Sequence, residues 1–386
     1  MNEVKKSINL ITKWLDKNGW AGYDPYDIKG TKLFLLLQRN KYTNFGSNLI
    51  LGRFPMFSRK VFMVKKEINA KAMALFARGY LNLYKKLGQE EYLNKALFCL
   101  NWLIENSNKG YSGFCWGYPF DWQSRVFIPK GTPSGVVTST AAHAFLDAYE
   151  ILEDEKYLKV AKSCCNFILS DLNIDEINEN RICFSYTPID NFHVHNANLF
   201  SASTLLRTFT YINNRDYKKV GKRAINFTTS YQNEDGSWYY WAPPDELLYH
   251  IDNYHTGFVL ECLNIARRSL GDEFEYDEEL RKGLKYYASN LFLEDGTPKI
   301  RHDSIYPIDI HSCAQAIITF CEISDFEARC LSMEEKVKKW TIENMQDKRG
   351  YFYYRIYKNT VDRMPYIRWG QAWMLRGLSY LGGKTV

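Results

Sequence analysis

The sequence has no long apolar run, no block of basic residues and no paired cysteine motif. No stretch approaches eighteen consecutive apolar residues, so no membrane-spanning helix is predicted. The net charge of +6 is spread thinly over 386 residues, so no nucleic-acid partner is predicted. The nine cysteines form no C-x-x-C pair, which indicates a reducing compartment. The charged N-terminus lacks the apolar core of a signal peptide, so the expected location is cytoplasmic.

Aromatic side chains, by contrast, are abundant. They make up 16% of the residues, with 28 Tyr, 23 Phe and 10 Trp. Aromatic rings bring large contact areas and, in Tyr and Trp, a polar group. This composition fits a packed aromatic core, and it also fits a cleft that stacks ring-shaped ligands.

An internal repeat is the strongest organising pattern. Residues 90–104, 155–169 and 215–229 each place Tyr near the start, a small residue four positions later and an aromatic residue ten positions later. The matching residues are Tyr92, Tyr157 and Tyr217; Ala96, Ala161 and Gly221; and Trp102, Phe167 and Phe227. Weaker copies follow at 278–292 and 333–345. A period of roughly sixty residues indicates a repeat architecture.

Each amphipathic repeat helix is followed by a turn, a short aromatic stretch and a second, more apolar helix. The second helices are predicted at 136–152, 196–212, 256–270, 311–323 and 369–381. The last of them is expected to pair with an N-terminal helix at 4–17 and so close a ring. We therefore predict an all-α, (α/α)6 toroid over residues 1–386, with short β-turn segments between hairpins and an irregular arm at 20–62. An open solenoid is the competing architecture.

Polar residues recur just before or at the start of the apolar helices. In a toroid these helix starts lie at one mouth of the ring and direct partial positive charge towards it. The first cluster is Asp121, Trp122, Gln123 and Arg125, which could equally form a helix cap and a surface loop. We expect the clusters of successive hairpins to line one cleft.

The second cluster contains two histidines, His193 and His195, followed by Asn196. They suit hydrogen bonding to a sugar or a carboxylate better than metal binding, because no matching ligand set accompanies them. A buried structural histidine is the alternative. Trp241, at the end of the aromatic stretch 234–241, is a candidate stacking residue.

The third cluster, at 243–258, is the densest. Asp252 and His255 are three positions apart, so a helical start would place them on one face, beside Tyr254. A carboxylate beside a histidine orients the ring and raises its basicity, as proton transfer requires. Helix capping by Asp252 is an alternative that could hold at the same time. Asp245, Glu246 and His250 belong to the same segment.

Two further clusters complete the set. Asp309 and His311 precede one apolar helix, and Arg368, Trp369 and Gln371 open the last one. The predicted catalytic residues are Asp121, Asp252, Tyr254, His255, Asp309 and His311. The predicted substrate-binding residues are Trp122, Gln123, Arg125, His193, His195, Asn196, Trp241, Arg368, Trp369 and Gln371. No metal ligands and no cofactor are predicted.

The hairpin pattern resembles the six-hairpin (α/α) toroids over almost the whole chain. Many members of that architecture act on carbohydrates, among them glycoside hydrolases, unsaturated-uronyl hydrolases, uronate lyases and sugar epimerases. The resemblance implies a saccharide substrate. Surface polysaccharide biosynthesis is the expected context.

Two mechanisms fit such a substrate. In a lyase or epimerase, Asn196 or Arg125 would neutralise a uronate carboxylate, and Tyr254 or His255 would abstract the C5 proton. In a hydrolase, two carboxylates among Asp121, Asp252 and Asp309 would act as acid and base.

Two other functions stay open. The segment QNEDGSW at 232–238 resembles the QW repeat of terpene cyclases, and DNYHT at 252–256 resembles a zinc-binding segment of prenyltransferase β subunits. The acidic motif of the cyclases and the D-x-C pair of the prenyltransferases are absent, so isoprenoid chemistry is less favoured. A non-catalytic glycan-binding protein is the third possibility.

Overall fold

Charged amphipathic helices alternate with apolar helices along the chain. The computed structural model describes residues 2–39, 51, 54–244 and 250–380. In chain order the described α-helices are α1 (Asn2–Asn18), α2 (Lys32–Gln38), α3 (Pro55–Val61), α4 (Ala70–Leu87), α5 (Glu90–Glu105), α6 (Gly135–Leu152), α7 (Glu155–Ser170), α8 (His195–Ile212), α9 (Arg215–Thr229), α10 (Asn253–Leu270), α11 (Asp277–Asn290), α12 (Ile310–Ile323), α13 (Cys330–Met345) and α14 (Trp373–Leu378). A π-helical turn, Ile367–Ala372, leads directly into α14.

The apolar helices form a closed inner ring. Helix α4 packs on α6, α6 on α8, α8 on α10, α10 on α12, α12 on α14, and α14 packs back on α4. Where α4 meets α14, a Cβ added to Gly79 would lie 3.2 Å from the backbone nitrogen of Arg376, so a small residue permits this close approach. The predicted toroid is confirmed, and the open solenoid is excluded.

The amphipathic helices form the outer layer. Helices α5, α9 and α13 each pack on the inner helix that precedes them in the chain, and α1 packs on α14 as the sequence predicts. Each outer helix buries an apolar stripe and presents charged residues to solvent, the pattern expected of a helix with one covered face. The first and last helical segments of the described chain therefore meet at the seam of the ring.

Capping side chains fix where the inner helices begin. The side chains of Asn69, Ser134, Asp252 and Asp309 accept hydrogen bonds from backbone N–H groups in the first turns of α4, α6, α10 and α12. Asn, Ser and Asp are favoured at this position because they satisfy N–H groups that have no partner within the helix. The polar residues at these four starts are thus held in defined positions.

Short antiparallel strands occupy the connections, as predicted. The strands are β1 (Ala21–Gly22), β2 (Glu67–Ile68), β3 (Trp122–Gln123), β4 (Phe127–Ile128), β5 (Ile174–Asn178), β6 (Arg181–Phe184), β7 (Ile308–Asp309), β8 (Arg355–Ile356) and β9 (Val361–Asp362). They pair as β1–β2, β3–β4 and β5–β6, and as a sheet of order β7–β8–β9.

The described part of the predicted arm at 20–62 contains β1, α2 and α3. One buried ion pair joins two parts of the arm, and a second joins the arm to the π-helical turn. Arg59 Nη2 lies 2.8 Å from Asp27 Oδ1, and Arg368 Nε lies 2.6 Å from Asp24 Oδ2. Residues 40–50, 52 and 53 of the arm, and Asp245 and Glu246 of the third polar cluster, lie outside the described residues.

Ion pairs link the inner helices through their middle and C-terminal portions, both between neighbours and across the ring. Asp147 on α6 accepts from Arg78 on α4 at 2.7 Å and from Arg207 on α8 at 2.6 Å. Arg376 on α14 pairs with Glu261 on α10. Burial alone would raise the pKa of Asp147, but the two arginines hold it well below its ordinary value.

Helix α4 is the one inner helix that the repeat does not predict. It follows the arm rather than an amphipathic repeat helix, so it falls outside the sixty-residue pattern.

Among the helices that the structure describes, none combines the length and the apolar character needed to cross a membrane.

Candidate active site

The N-terminal ends of the inner helices converge on one cavity. Its volume is about 110 Å³. Each inner element contributes at least one residue from its first turn to the wall: Lys71 from α4, Val136 from α6, Asn196 from α8, His255 from α10, His311 from α12, and Arg368 from the π-helical turn. Because the inner helices repeat around the ring, the side chains of their first turns surround this one cavity.

Aromatic rings complete the wall. They come from the arm, from the connections and from the inner helices: Tyr26, Tyr118, Phe120, Trp122, Tyr186, Tyr240, Tyr254, Phe258 and Trp369. Tyr26 of the arm packs edge-on against Trp369, with centroids 5.4 Å apart, so the arm helps to cover the cavity. Burial raises the pKa of Tyr26 to about 12, so its phenol is protonated at neutral pH.

Asp252 and His255 form a pair at the start of α10. Asp252 caps the helix by accepting from the His255 backbone N–H at 2.9 Å, and its other carboxylate oxygen lies 2.6 Å from His255 Nδ1. Burial alone would raise the pKa of Asp252, but His255 and His250 hold it well below its ordinary value. An ionised carboxylate fixes the proton on Nδ1 and leaves the lone pair on Nε2. Both predicted roles of Asp252, capping and orienting, are seen together.

His311 is a buried imidazole without a hydrogen-bond partner. Neither ring nitrogen finds a donor or acceptor among the described residues. The ring packs against Trp369 at 4.4 Å and Tyr254 at 4.8 Å between centroids. Burial, and then the nearby Lys71 and Arg368, lower its pKa well below the ordinary value, so the ring is neutral at neutral pH. A buried polar group left unpaired costs about 1–3 kcal/mol, which marks a place that a ligand can satisfy.

Lys71 is the main residue that the sequence did not predict. It is 3% exposed and lies in the first turn of α4, with its ammonium group near three aromatic rings. Its Nζ is 5.3 Å from the centroid of Trp373, 5.4 Å from Phe258 and 5.6 Å from Phe200. Burial, and then Arg368, lower its pKa to about 7. An isolated lysine in an unpredicted helix gives no pattern by which to find it.

Two further polar side chains face the cavity. Arg368 donates to both carboxylate oxygens of Asp24, at 2.6 and 2.8 Å, so its charge is already neutralised by the arm. Asn196 is 3% exposed, and its Oδ1 has no hydrogen-bond partner in the described structure. It is therefore free to accept a hydrogen bond from a ligand.

Asp309 is fully buried behind the wall rather than in it. Its Oδ2 accepts from Arg355 Nε at 2.6 Å. Its Oδ1 accepts from Trp369 Nε1 at 2.8 Å and from the His311 backbone N–H at 2.9 Å. Both oxygens are engaged, so the geometry gives Asp309 the task of positioning Trp369 and His311. Its catalytic role stays a prediction.

Three residues of the first predicted cluster lie away from the cavity, and only Trp122 reaches it. Asp121 accepts from the Lys130 backbone N–H at 2.7 Å and lines a separate cleft beside the arm. Gln123 is exposed and donates to the carbonyl of Ser124 at 3.0 Å. Arg125 is exposed, and its guanidinium lies over Phe192 and Trp241.

Four other predicted binding residues also find partners within the protein. His193 lies 2.7 Å from Asp175 Oδ2 and 2.6 Å from the carbonyl of Pro243. His195 is 3.4 Å from Thr228 Oγ1, and burial lowers its pKa to about 3. The Gln371 amide bonds the backbone N–H and carbonyl of Phe352. Trp241 packs on Phe192, with centroids 5.5 Å apart. Their substrate-binding roles stay predictions.

A larger cleft lies outside the ring. Its volume is about 590 Å³, and it runs between α1, the arm and the β8–β9 hairpin. Trp14, Tyr23, Lys66, Tyr357 and Arg363 are among its lining residues, but no histidine is. In the part of the chain that the structure describes, no three His, Cys, Asp or Glu side chains come together as a metal-binding group.

Comparison with known proteins identifies the fold of the chain. Neither family models nor curated proteins give a match to the sequence. Among solved structures, a sugar epimerase from a ruminal bacterium matches with a TM-score of 0.67 and 14% identity, covering 98% of each chain. Cellobiose 2-epimerase from Bacillus thermoamylovorans B4167 matches with a TM-score of 0.68 and 13% identity, covering 99% of this chain and 100% of that one.

A hydrolase shares the same architecture. An unsaturated glucuronyl hydrolase specific for heparin matches with a TM-score of 0.64 and 11% identity, covering 98% of this chain and 95% of that one. The chain thus has the (α/α)6 toroid fold, as predicted. At these identities the comparison shows the fold alone, and one fold can carry unrelated chemistries.

Proposed function

We propose that the protein is a carbohydrate-active enzyme that removes a proton from a carbon atom of a saccharide. An epimerase then returns a proton to that carbon, whereas a lyase expels a leaving group from the neighbouring carbon. One observation carries the proposal: the cavity at the convergence of the inner helices is lined by two imidazoles, His255 and His311, and by no carboxylate among the described residues. The epimerases of the same fold make a saccharide the preferred substrate class.

The two histidines suit different parts of a proton transfer. They lie on neighbouring helices of the ring, and both contact Tyr254, at centroid distances of 4.3 Å for His255 and 4.8 Å for His311. His255, oriented by Asp252, is the better base because its Nε2 keeps a lone pair, and once protonated it can return a proton to the carbon. His311, neutral and unpartnered, can donate a hydrogen bond from its ring N–H to a substrate oxygen on which negative charge develops. A positioned acid or base contributes about 10²–10⁴-fold to the rate of a proton transfer.

The rest of the wall suits a sugar. Flat rings such as Trp122 and Trp369 can stack on a pyranose, and Asn196 and Arg368 can hydrogen-bond its hydroxyl groups. The cavity, at about 110 Å³, is smaller than the roughly 300–1,000 Å³ of ordinary ligand pockets. We therefore expect Tyr26 and the arm to shift when a saccharide enters.

Hydrolysis is the second candidate, because a glucuronyl hydrolase has the same fold. A hydrolase needs two carboxyl groups facing the glycosidic bond. Here Asp252 is bound by His255, Asp309 is bound by Arg355 and Trp369, and Asp121 lies in another cleft. The geometry therefore favours proton transfer. A place in surface polysaccharide biosynthesis and a cytoplasmic location stay predictions.

Solvent deuterium incorporation tests the proposal. The protein is incubated in D₂O with neutral reducing disaccharides, N-acetylhexosamines and uronate oligosaccharides, and the sugars are followed by NMR. An epimerase should give an epimer with deuterium at the carbon beside the carbonyl or carboxylate group. A lyase should give an unsaturated product, whose former C–H carbon carries no deuterium. His255→Asn should abolish these products, while His302→Asn, a matched control outside the cavity lining, should not.

Other outcomes would overturn the proposal. New reducing ends with neither deuterium on carbon nor an unsaturated product would assign the protein as a hydrolase. Binding of a saccharide with neither exchange nor cleavage would assign it as a glycan-binding protein. Loss of the products in His302→Asn as well as in His255→Asn would show that the substitutions act through folding rather than through the site.

A further inference from the structure

Lys71 occupies an unusual place for a lysine. It is the second residue of α4, and five other inner elements also begin around the same cavity. Helix N-termini carry partial positive charge, so a cation is disfavoured there. A lysine that serves only stability would be expected near a helix C-terminus or beside a carboxylate. Its position points to a chemical task.

The surroundings of the Lys71 side chain give it no acceptor. In the described structure, Nζ makes no hydrogen bond and no ion pair, and Phe200, Phe258 and Trp373 enclose it at 5.3 to 5.6 Å. Of the charged groups that act on it, Arg368 and Arg376 lower its pKa, while Glu261 and Asp24 raise it. Burial dominates and brings the pKa to about 7. At neutral pH much of this lysine is a free amine with an available lone pair.

These features are those of a nucleophilic lysine. Amines become nucleophiles in proteins when an apolar pocket or a neighbouring cation removes their proton. Lys71 has both, because aromatic rings surround it and Arg368 lies beside it in the cavity wall.

We propose that Lys71 forms an imine with the open-chain carbonyl group of the saccharide. The inference rests on the proposed function in one respect, namely that the substrate is a sugar with a free carbonyl. The amine lone pair forms a bond to the carbonyl carbon, and the carbonyl oxygen takes up a proton. The resulting carbinolamine loses water to give the protonated imine. Amine, carbonyl and one proton from solvent are thus converted into protonated imine and water, with no net oxidation or reduction.

The imine explains why a lysine and a histidine base share one cavity. A protonated imine withdraws electrons, so the neighbouring C–H bond becomes acidic and His255 can take its proton. The electrons of that bond form an enamine. Return of a proton to the carbon, from the protonated ring of His255, restores the imine, and water then releases the sugar and the free amine.

Reductive trapping tests the inference without requiring turnover. The full-length protein is mixed with reducing sugars and cyanoborohydride, which reduces an imine to a stable amine, and the adduct is located by peptide mass spectrometry. We expect a sugar adduct on Lys71 that greatly exceeds the adduct on the exposed Lys85. Lys71→Arg, which keeps a cation but cannot form an imine, should lose it, and Lys85→Arg should keep it.

Solvent exchange, measured in parallel, separates the two proposals. An adduct at Lys71 with neither deuterium on carbon nor an unsaturated product would support the imine and overturn the proton-transfer function. Deuterium exchange without an adduct at Lys71 would overturn the imine, whether or not Lys71→Arg retains the exchange. Absence of both would also overturn it. Thermal unfolding of Lys71→Arg and of Lys71→Met identifies any variant that loses the adduct by failing to fold.

Discussion

The two ends of the inner ring use polar side chains in opposite ways. Towards the C-terminal ends, Asp147 pairs with both Arg78 and Arg207 across three helices. Glu261 and Glu150 provide further carboxylates for these two arginines. At the N-terminal ends, His311 and Lys71 are as deeply buried but have no hydrogen-bond partner in the described structure. Paired charges hold the helices together, whereas unpaired polar groups cost stability. The difference supports our proposal that the N-terminal end is the functional one.

The proposed difference between the two ends is tested most strongly by changing the chemistry of the N-terminal end while keeping its structure. Asp252→Asn retains a good N-cap residue for α10 but removes the carboxylate that orients His255. We expect turnover to fall by about 10²–10⁴-fold, the usual contribution of a positioned base. The thermal unfolding temperature should change little. Steady-state kinetics and calorimetry check both parts, and unchanged turnover would contradict the assignment of His255.

The cost of Lys71 to stability gives a second prediction, with a defined pH dependence. Its pKa is about 7 in the folded protein and about 10.4 when unfolded, so protonation favours the unfolded state. Lys71→Met should therefore stabilise the protein by up to ~5 kcal/mol below pH 7. The gain should shrink as the pH rises and vanish near pH 10.4. Denaturant unfolding across this pH range measures it, and a gain independent of pH would contradict the account.

At the opposite end, removing a paired charge should harm stability rather than activity. Asp147→Ala removes the carboxylate that Arg78 and Arg207 share, while Arg207 keeps Glu150 and Arg78 keeps the more distant Glu261. We expect a loss of about 1–3 kcal/mol in the free energy of unfolding, with turnover of the folded protein preserved. Because the pKa of Asp147 is lowered by folding, the difference from the wild type should shrink as the pH falls below about 4. If the difference in the free energy of unfolding persists in acid, the ion pairs of Asp147 are not the source of that difference.

The smallest expected effect is a gain in stability. His311→Phe replaces an unpartnered imidazole, packed among Tyr254, Trp369 and Trp373, with an apolar ring of similar shape. Removing a buried polar group that has no partner should stabilise the protein by ~1–3 kcal/mol, while activity should be lost. Chemical denaturation of the variant checks the sign. Destabilisation would indicate that His311 is held by partners in solution.

Sequence patterns predicted the parts of the molecule that depend on local spacing. The repeat gave the hairpins and the ring. The i,i+3 spacing of Asp252 and His255 gave a pair that the structure shows at 2.6 Å. Both follow from helical geometry within one segment, where neighbouring residues determine the outcome.

The remainder depends on contacts between distant segments. The sequence predicts Gln371 as a ligand-binding amide. In the structure its partner is the backbone of Phe352, on a loop whose position the sequence spacing does not predict. Arg368 pairs with Asp24, which lies 344 positions earlier in the sequence. Lys71 stands out only when three helices bring their rings around it. No local pattern carries that information.

The central claim is that a saccharide binds among the N-terminal ends of the inner helices, with its reacting carbon beside His255 and an oxygen atom beside His311. A crystal structure with a bound sugar alcohol, which keeps the hydroxyl groups of an open-chain sugar but cannot react, tests it most directly. The account predicts the ligand among His255, His311 and Asn196, with Tyr26 displaced. Binding in the cleft between α1, the arm and the β8–β9 hairpin, with the central cavity empty, would contradict it.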